Sequence, residues 1–214
     1  CSGSGEASGN TDSEGSGEPK VGGQIIYGST TELSGDLGNA WWTNNASDKT
    51  LRDLIDDYDV IVSDQGGQFV ENASVVDSIT SEDNADGSKT FTVKIKDGLK
   101  YNNGDAITAA DYVAYALVQY SPAVKEDGGK VGSDIVVGAA AYQAGEAKEL
   151  SGVRLLDDKT YSITISADYV PYYYEETYAS LKPIALKQYS SAALTVKDDG
   201  NGAYLDGGEL TKEE

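Results

Sequence analysis

Apolar and polar residues alternate strictly from Lys89 to Lys96, where KTFTVKIK sets Phe91, Val93 and Ile95 on one face and Thr or Lys on the other. A period of two marks a half-buried strand. The EDNADG stretch at 82–87 supplies a turn ahead of it, and Val75 to Thr80 supplies its partner strand. That turn lacks the glutamate a calcium loop needs at its twelfth position, so an ordinary hairpin loop accounts for it. A second hairpin is predicted at 151–166, turning at Asp157 and Asp158, with Tyr161, Ile163 and Ile165 alternating along the returning strand. Gln24 to Tyr27 (QIIY) reads as a further strand.

Helical spacing appears in four places. Behind Ser47, read as an N-cap, stand Leu51, Leu54, Ile55 and Tyr58. Thr108 caps the next helix, with Asp111 three residues on as a near capping box and Tyr112, Val113, Tyr115, Ala116 and Val118 behind it. A third helix is predicted over Ser133 to Gln143, stopped at Gly145. Pro171 opens PYYYEETYASL as a short fourth helix. Its Tyr172, Tyr173, Tyr174 and Tyr178 hint at sugar binding, but their spacing favours packing into the core and against neighbouring structure. The fold class predicted is mixed α+β, with hairpins interrupting helices and no internal repeat.

Composition separates the first 22 residues from this body. CSGSGEASGNTDSEGSGEPK is Gly, Ser and acid, too poor in apolar area to offset the ordering of its backbone, and is predicted to be a disordered tether. About 20 residues of such coil span roughly 25 Å end to end. The single cysteine of the chain, Cys1, excludes an internal disulfide and thiolate metal clusters. A cysteine at the first position, ahead of a polar leash, is what remains when a bacterial lipoprotein signal peptide is cleaved. Cys1 is therefore the predicted lipidation site, since two acyl chains hold a protein stably at a membrane where one does not.

Charge and missing residue types narrow the function classes. The formal net charge is −20, from 36 acidic and 16 basic residues, which repels nucleic-acid phosphates and anionic lipid. Histidine is absent, so neither a Ser-His-Asp triad nor a His-ligated zinc site can be built. Paired carboxylates of a glycosidase kind remain, but 36 acidic residues guarantee accidental pairs on a solvated surface. No enzyme chemistry and no cofactor are predicted.

The segment FTVKIKDGLKYNNGDAITAADYVAYAL, Phe91 to Leu117, resembles the strand, DG(V/L)KF, NG(T/D)P(L/V)TA.D and helix pattern of extracytoplasmic solute-binding proteins of ABC importers, in the oligopeptide- and dipeptide-binding group. Tyr101, Asn103, Gly104, Asp105, Thr108, Ala109 and Asp111 fall on the patterned positions, while Ala106 replaces the common proline. GGQIIYG at 22–28 is similar to that group's opening strand, and AYQAGEAKELSGVRLLDDKTYSITIS to the segment returning to its first lobe. In this pattern Gly98 and Gly104 serve tight turns and Thr108 serves as a cap, so none is a candidate for touching ligand.

The resemblance implies a lobe of the type II periplasmic-binding-protein kind, a mixed sheet with helices packed on it and a β-rich subdomain. Residues 23–214 would form a first lobe, incomplete, with an insertion at about 46–150, and the chain would stop at TKEE before a second lobe. It also implies capture of a peptide by lobe closure, permease and ATPase subunits as partners, and a monomer held at the outer face of the cytoplasmic membrane of a Gram-positive bacterium. Alternatives on the same fold are a sugar or metal chelate as solute, nickel being disfavoured by the lack of histidine, or a surface sensor. The loop after the first strand and the loop near 133–143 would face the cleft. That selects Trp41, Trp42, Asn44, Asn45 and Ser133, because indole rings give broad flat contact and Asn pairs with peptide backbone. A place in the core for one or both tryptophans is the competing expectation.

Overall fold

The computed structural model describes residues 21–214; Cys1 and the tether up to Lys20 lie outside the described residues. Two units are distinguished, and the second is Thr31–Glu214. Of the first, residues 21–30 are described and carry no helix or strand. The predicted strand at 24–27 is thus not formed. Among the described residues no segment pairs with it, Ile25 is 94% exposed, and a lone strand leaves its backbone groups without a ladder.

The core of the second unit is a four-stranded sheet. Its strands are β3 (Val76–Asp83), β4 (Lys89–Ile95), β5 (Val153–Asp157) and β6 (Thr160–Ile165), in the order β3-β4-β6-β5, and each pairing is antiparallel. Phe91, Val93 and Ile95 point into the core as their alternation predicts, and Tyr161, Ile163 and Ile165 do the same from β6. Register sets Phe91 opposite Ile163 and Val93 opposite Tyr161, so the inward rows of the two strands coincide. Two smaller hairpins flank the sheet, β1 (Ile61–Ser63) with β2 (Phe69–Glu71), and β7 (Thr195–Asp198) with β8 (Ala203–Asp206).

Helix α2 (Ala109–Gln119) lies across β5 and β6. It begins where predicted: the Thr108 N–H donates to the Asp111 carboxylate at 2.8 Å, so a donor that helices leave orphaned is satisfied. Tyr112 is fully buried, stacks on Tyr161 at 5.9 Å, and donates its hydroxyl to the Tyr58 carbonyl at 2.7 Å. The turn ahead of α2 bends at Gly98 and Gly104, both at positive φ, where a side chain would be strained. Two short helices follow, α3 (Pro122–Glu126) and α4 (Ala139–Gln143).

Four local expectations are corrected. The first helix, here α1 (Ala46–Ile55), is capped by Asn45 rather than Ser47: Asn45 Oδ1 accepts from the N–H groups of Ser47 at 2.8 Å and Asp48 at 3.1 Å. Its buried face carries Asp48 and Arg52, while Leu54 and Ile55 face solvent. Loop 31–39 covers the polar face, because Asp48 accepts from the N–H and hydroxyl of Ser34 and Arg52 donates to the Asp36 carbonyl. Satisfied polar groups can be buried, and the apolar positions are then left outside.

The helix predicted over 133–143 contracts to α4. Residues 135–137 run beside β6 instead: Val136 bridges Ile165, the Val137 N–H donates to the Thr164 carbonyl, and Ser166 N–H to that of Ile135. The β-branched run Ile135-Val136-Val137 suits that extended role. At Gly138, φ of 78° and a Ser151 Oγ only 2.1 Å from where a Cβ would stand leave room for glycine alone. The helix expected from Pro171 is a 3-10 turn over Glu175–Ala179, four residues further on. Only Tyr178 of its tyrosines packs on the core; Tyr172, Tyr173 and Tyr174 lie at the surface. The Glu175 carboxylate accepts from the Tyr172 N–H at 3.2 Å, a contact of the capping-box kind, yet the turn that follows is 3-10 and begins only at Glu175.

Candidate ligand-binding cleft

Segment 41–45 passes from the core to a surface cleft within five residues. Trp41 is 4% exposed and packs against Tyr115 at 5.5 Å, Trp42 at 5.7 Å and Tyr189 at 6.2 Å, in a cluster with Ala114, Val118, Val124 and Ile184. Trp42 is half-buried at its edge. Both indoles line a recess of ≈ 300 Å³ with Tyr189 and Asp127. Asn44 is exposed and lines a different and larger cleft, of ≈ 800 Å³. Asn45, whose Nδ2 donates to the Glu32 carbonyl at 3.0 Å, is committed to capping α1 and tying down the preceding loop. Ser133 lines neither space. The structure therefore separates the five candidates rather than gathering them.

The larger cleft lies between α1, the β1–β2 hairpin and the segment Ser180–Lys182, with Tyr115 of α2 on its wall. Its polar groups are mostly paired. Lys182 donates to Asp56 at 2.6 Å and to the Gly38 carbonyl at 3.2 Å, and its ammonium stands 5.7 Å from the Tyr115 ring centre. Lys49 pairs with Asp53 at 2.6 Å across one turn of α1. Asp59 differs: desolvation by surrounding protein atoms pushes its carboxyl above the usual range, Lys182 draws it down, and the charges of Asp56, Asp53 and Asp57 push it up again. Burial pushes the Tyr115 phenol up to about 12, so it stays a neutral donor near neutral pH.

Such a wall suits reversible binding. It offers an ammonium, carboxylates, a phenol and an amide around an open volume of the size small solutes occupy. Among the described residues, no group of three acidic, His or Cys side chains is arranged to hold a metal ion. Tyr115, Lys182 and Asp59 were not legible as cleft residues in the sequence. They come from a helix, a coil after a 3-10 turn and a loop, and only tertiary packing brings them together. The single local hint is Lys182 between buried Leu181 and Pro183, a charged residue in a segment whose neighbours are fixed.

No family model matches the chain. The oligopeptide-binding protein OppA of Lactococcus lactis subsp. cremoris is 30% identical to it over 95 residues, which is 44% of this chain and 15% of that protein. Among solved structures, Burkholderia pseudomallei OppA superposes with a TM-score of 0.53 at 21% identity, covering 73% of this chain and 32% of that one. Haemophilus influenzae OppA, solved in complex with the peptide RPPGFSPFR, gives a TM-score of 0.53 at 19% identity, covering 75% of this chain and 33% of that one. The chain thus spans about a third of the length of these solved relatives. Over the part these matches cover, the chain shares the fold of these OppA structures.

Proposed function

We propose that this chain is part of an extracytoplasmic solute-binding protein that captures peptides for an ABC importer. The observation that carries the reading is the fold likeness to oligopeptide-binding proteins across nearly three quarters of the chain, with an open polar cleft within it. Capture works as a population shift: a peptide that bridges two lobes favours the closed arrangement by its differential affinity for it. Permease and ATPase subunits then take the solute across the membrane, and no bond of the solute is broken.

In the same reading, acyl chains on the Cys1 thiol hold the protein at the outer face of the cytoplasmic membrane. The open alternatives are another small solute, such as a sugar or metal chelate, and a surface sensor without transport. Uptake separates them. Cells lacking the gene should lose import of isotope-labelled oligopeptides and regain it on complementation, while Cys1→Ser should release the protein into the medium. Unchanged peptide import in the deletion strain, with import of a labelled sugar lost, would replace peptide by sugar.

A further inference from the structure

Phe69, Tyr172, Tyr173 and Tyr174 form a continuous aromatic surface that no element of the second unit covers. Phe69 meets the edge of Tyr174 at 5.3 Å, Tyr173 meets Tyr174 at 4.7 Å, and Tyr172 meets Tyr174 at 5.9 Å. Tyr173 is 84% exposed. The rings are held in place from below, where Tyr172 stacks on half-buried Tyr178 at 5.6 Å. Large aromatic rings fixed at a surface and open to water mark an interaction site more often than scattered apolar residues do.

Two carboxylates stand beside these rings. Glu71 is two residues along β2 from Phe69, and so on the same face of the strand. Glu176 lies in the 3-10 turn Glu175–Ala179, which packs against β1, the strand whose Ile61 stands opposite Glu71; the Ile61 N–H donates to Ser180 Oγ just past that turn, and burial together with the charge of Glu71 pushes the Glu176 carboxyl above the usual range. Neither has a Lys or Arg partner among the described residues. The nearby Lys89 is already taken, by Glu175 and, at 3.4 Å, by Asp83.

We propose that this surface docks a polypeptide segment bearing Arg or Lys side chains. The ring faces attract a cation, and the paired acids supply the counter-charge that each now lacks. A purely apolar partner would desolvate two carboxylates and leave them unpaired, and an acidic one would meet like charge from a chain of net charge −20. Phe69 also lines the large cleft, so the platform continues from the cleft rim, but the tyrosines and both acids lie outside it. The inference stands whether or not the cleft captures peptides.

A fluorescein-labelled Arg-Gly repeat peptide, titrated into this chain and followed by anisotropy, tests the platform. We expect saturable binding that weakens about tenfold in Glu71→Gln/Glu176→Gln and about fivefold in Tyr173→Leu, while Tyr173→Phe stays within about twofold. All three positions are at or near the surface, and unchanged circular dichroism verifies the fold. Glu209→Gln/Glu213→Gln, elsewhere on the surface, should leave the affinity alone. Equal weakening by the Glu209/Glu213 pair would reduce the effect to diffuse charge attraction and overturn the proposal. A dimer abolished by Tyr173→Leu would make a second copy the occupant, and that result overturns it too.

Discussion

Replacing Trp41 by alanine is expected to remove about 3 to 5 kcal/mol of stability, the largest loss of any single tryptophan or surface change in this chain. The indole is 4% exposed and touches three other aromatic rings, all between 5.5 and 6.2 Å away. Truncation opens a cavity that Tyr115 and Tyr189 cannot close, because both are anchored: Tyr115 lies within α2, and Tyr189 accepts a hydrogen bond from Asn39 Nδ2 at 2.7 Å. The Trp41 carbonyl also accepts from the Lys130 N–H at 2.6 Å, so the loop from Gly128 to Gly132 should loosen with it. Trp42→Ala removes a half-exposed ring and should cost about 1 kcal/mol. Urea denaturation followed by far-ultraviolet circular dichroism measures both. Equal losses for the two substitutions would mean that Trp41 is not the core residue described here.

The second large effect is expected at Asp198. Its carboxylate accepts from Arg154 Nε at 2.8 Å and Nη2 at 2.9 Å, from the Leu155 N–H at 3.0 Å and from the Gly200 N–H at 2.8 Å. The three from Arg154 and Leu155 tie the β7–β8 hairpin to the sheet edge β5, and the one from Gly200 closes the hairpin's own turn. Asp198→Ala leaves a buried N–H and a guanidinium without a partner, a loss of about 2 to 3 kcal/mol; partial exposure of Arg154 keeps it below the figure for a fully buried pair. Burial pushes the Asp198 carboxyl up, but Arg154 and the two N–H groups more than offset it and hold it below the usual value near 3.8. A depressed folded value gives stability that is complete above the unfolded value and is lost as pH falls through the folded one. Parent and variant stabilities should therefore differ fully at pH 6, and the gap should narrow only as pH falls below the usual carboxylate value. A gap that stays constant down to pH 2 would show that the carboxylate charge is not what holds the hairpin.

How far the sequence foretells this molecule differs from element to element. Strands β4 and β6 are legible because their alternation and their burial have one cause, a sheet with a single core face. The start of α2 is legible because capping is local chemistry, settled between Thr108 and Asp111. The orientation of α1 is not, since its buried face is chosen by Ser34 and the Asp36 carbonyl, residues 14 and 16 positions upstream of their partners. Residues 135–137 have helical spacing but are taken in beside the end of β6, past the last pairing of β5, where the Thr164 carbonyl and the Ser166 N–H find partners in them. Of the candidate site, Asn44 and Asn45 are selected together, by a loop that the family resemblance turns toward the cleft and by a side chain suited to peptide backbone; Asn44 lines a cleft, whereas Asn45 spends the same side chain on a helix end. Residue type cannot distinguish the two, because the difference lies in which backbone groups are left unpaired nearby.

Calorimetric titration of the intact gene product with oligopeptides, followed by mass spectrometry of the peptide recovered from the complex, tests the proposed capture most directly. Stoichiometric binding of a peptide released at unchanged mass is the predicted result. Cleaved peptide in the recovered fraction, or an intact protein that binds no peptide while binding another solute tightly, would contradict it.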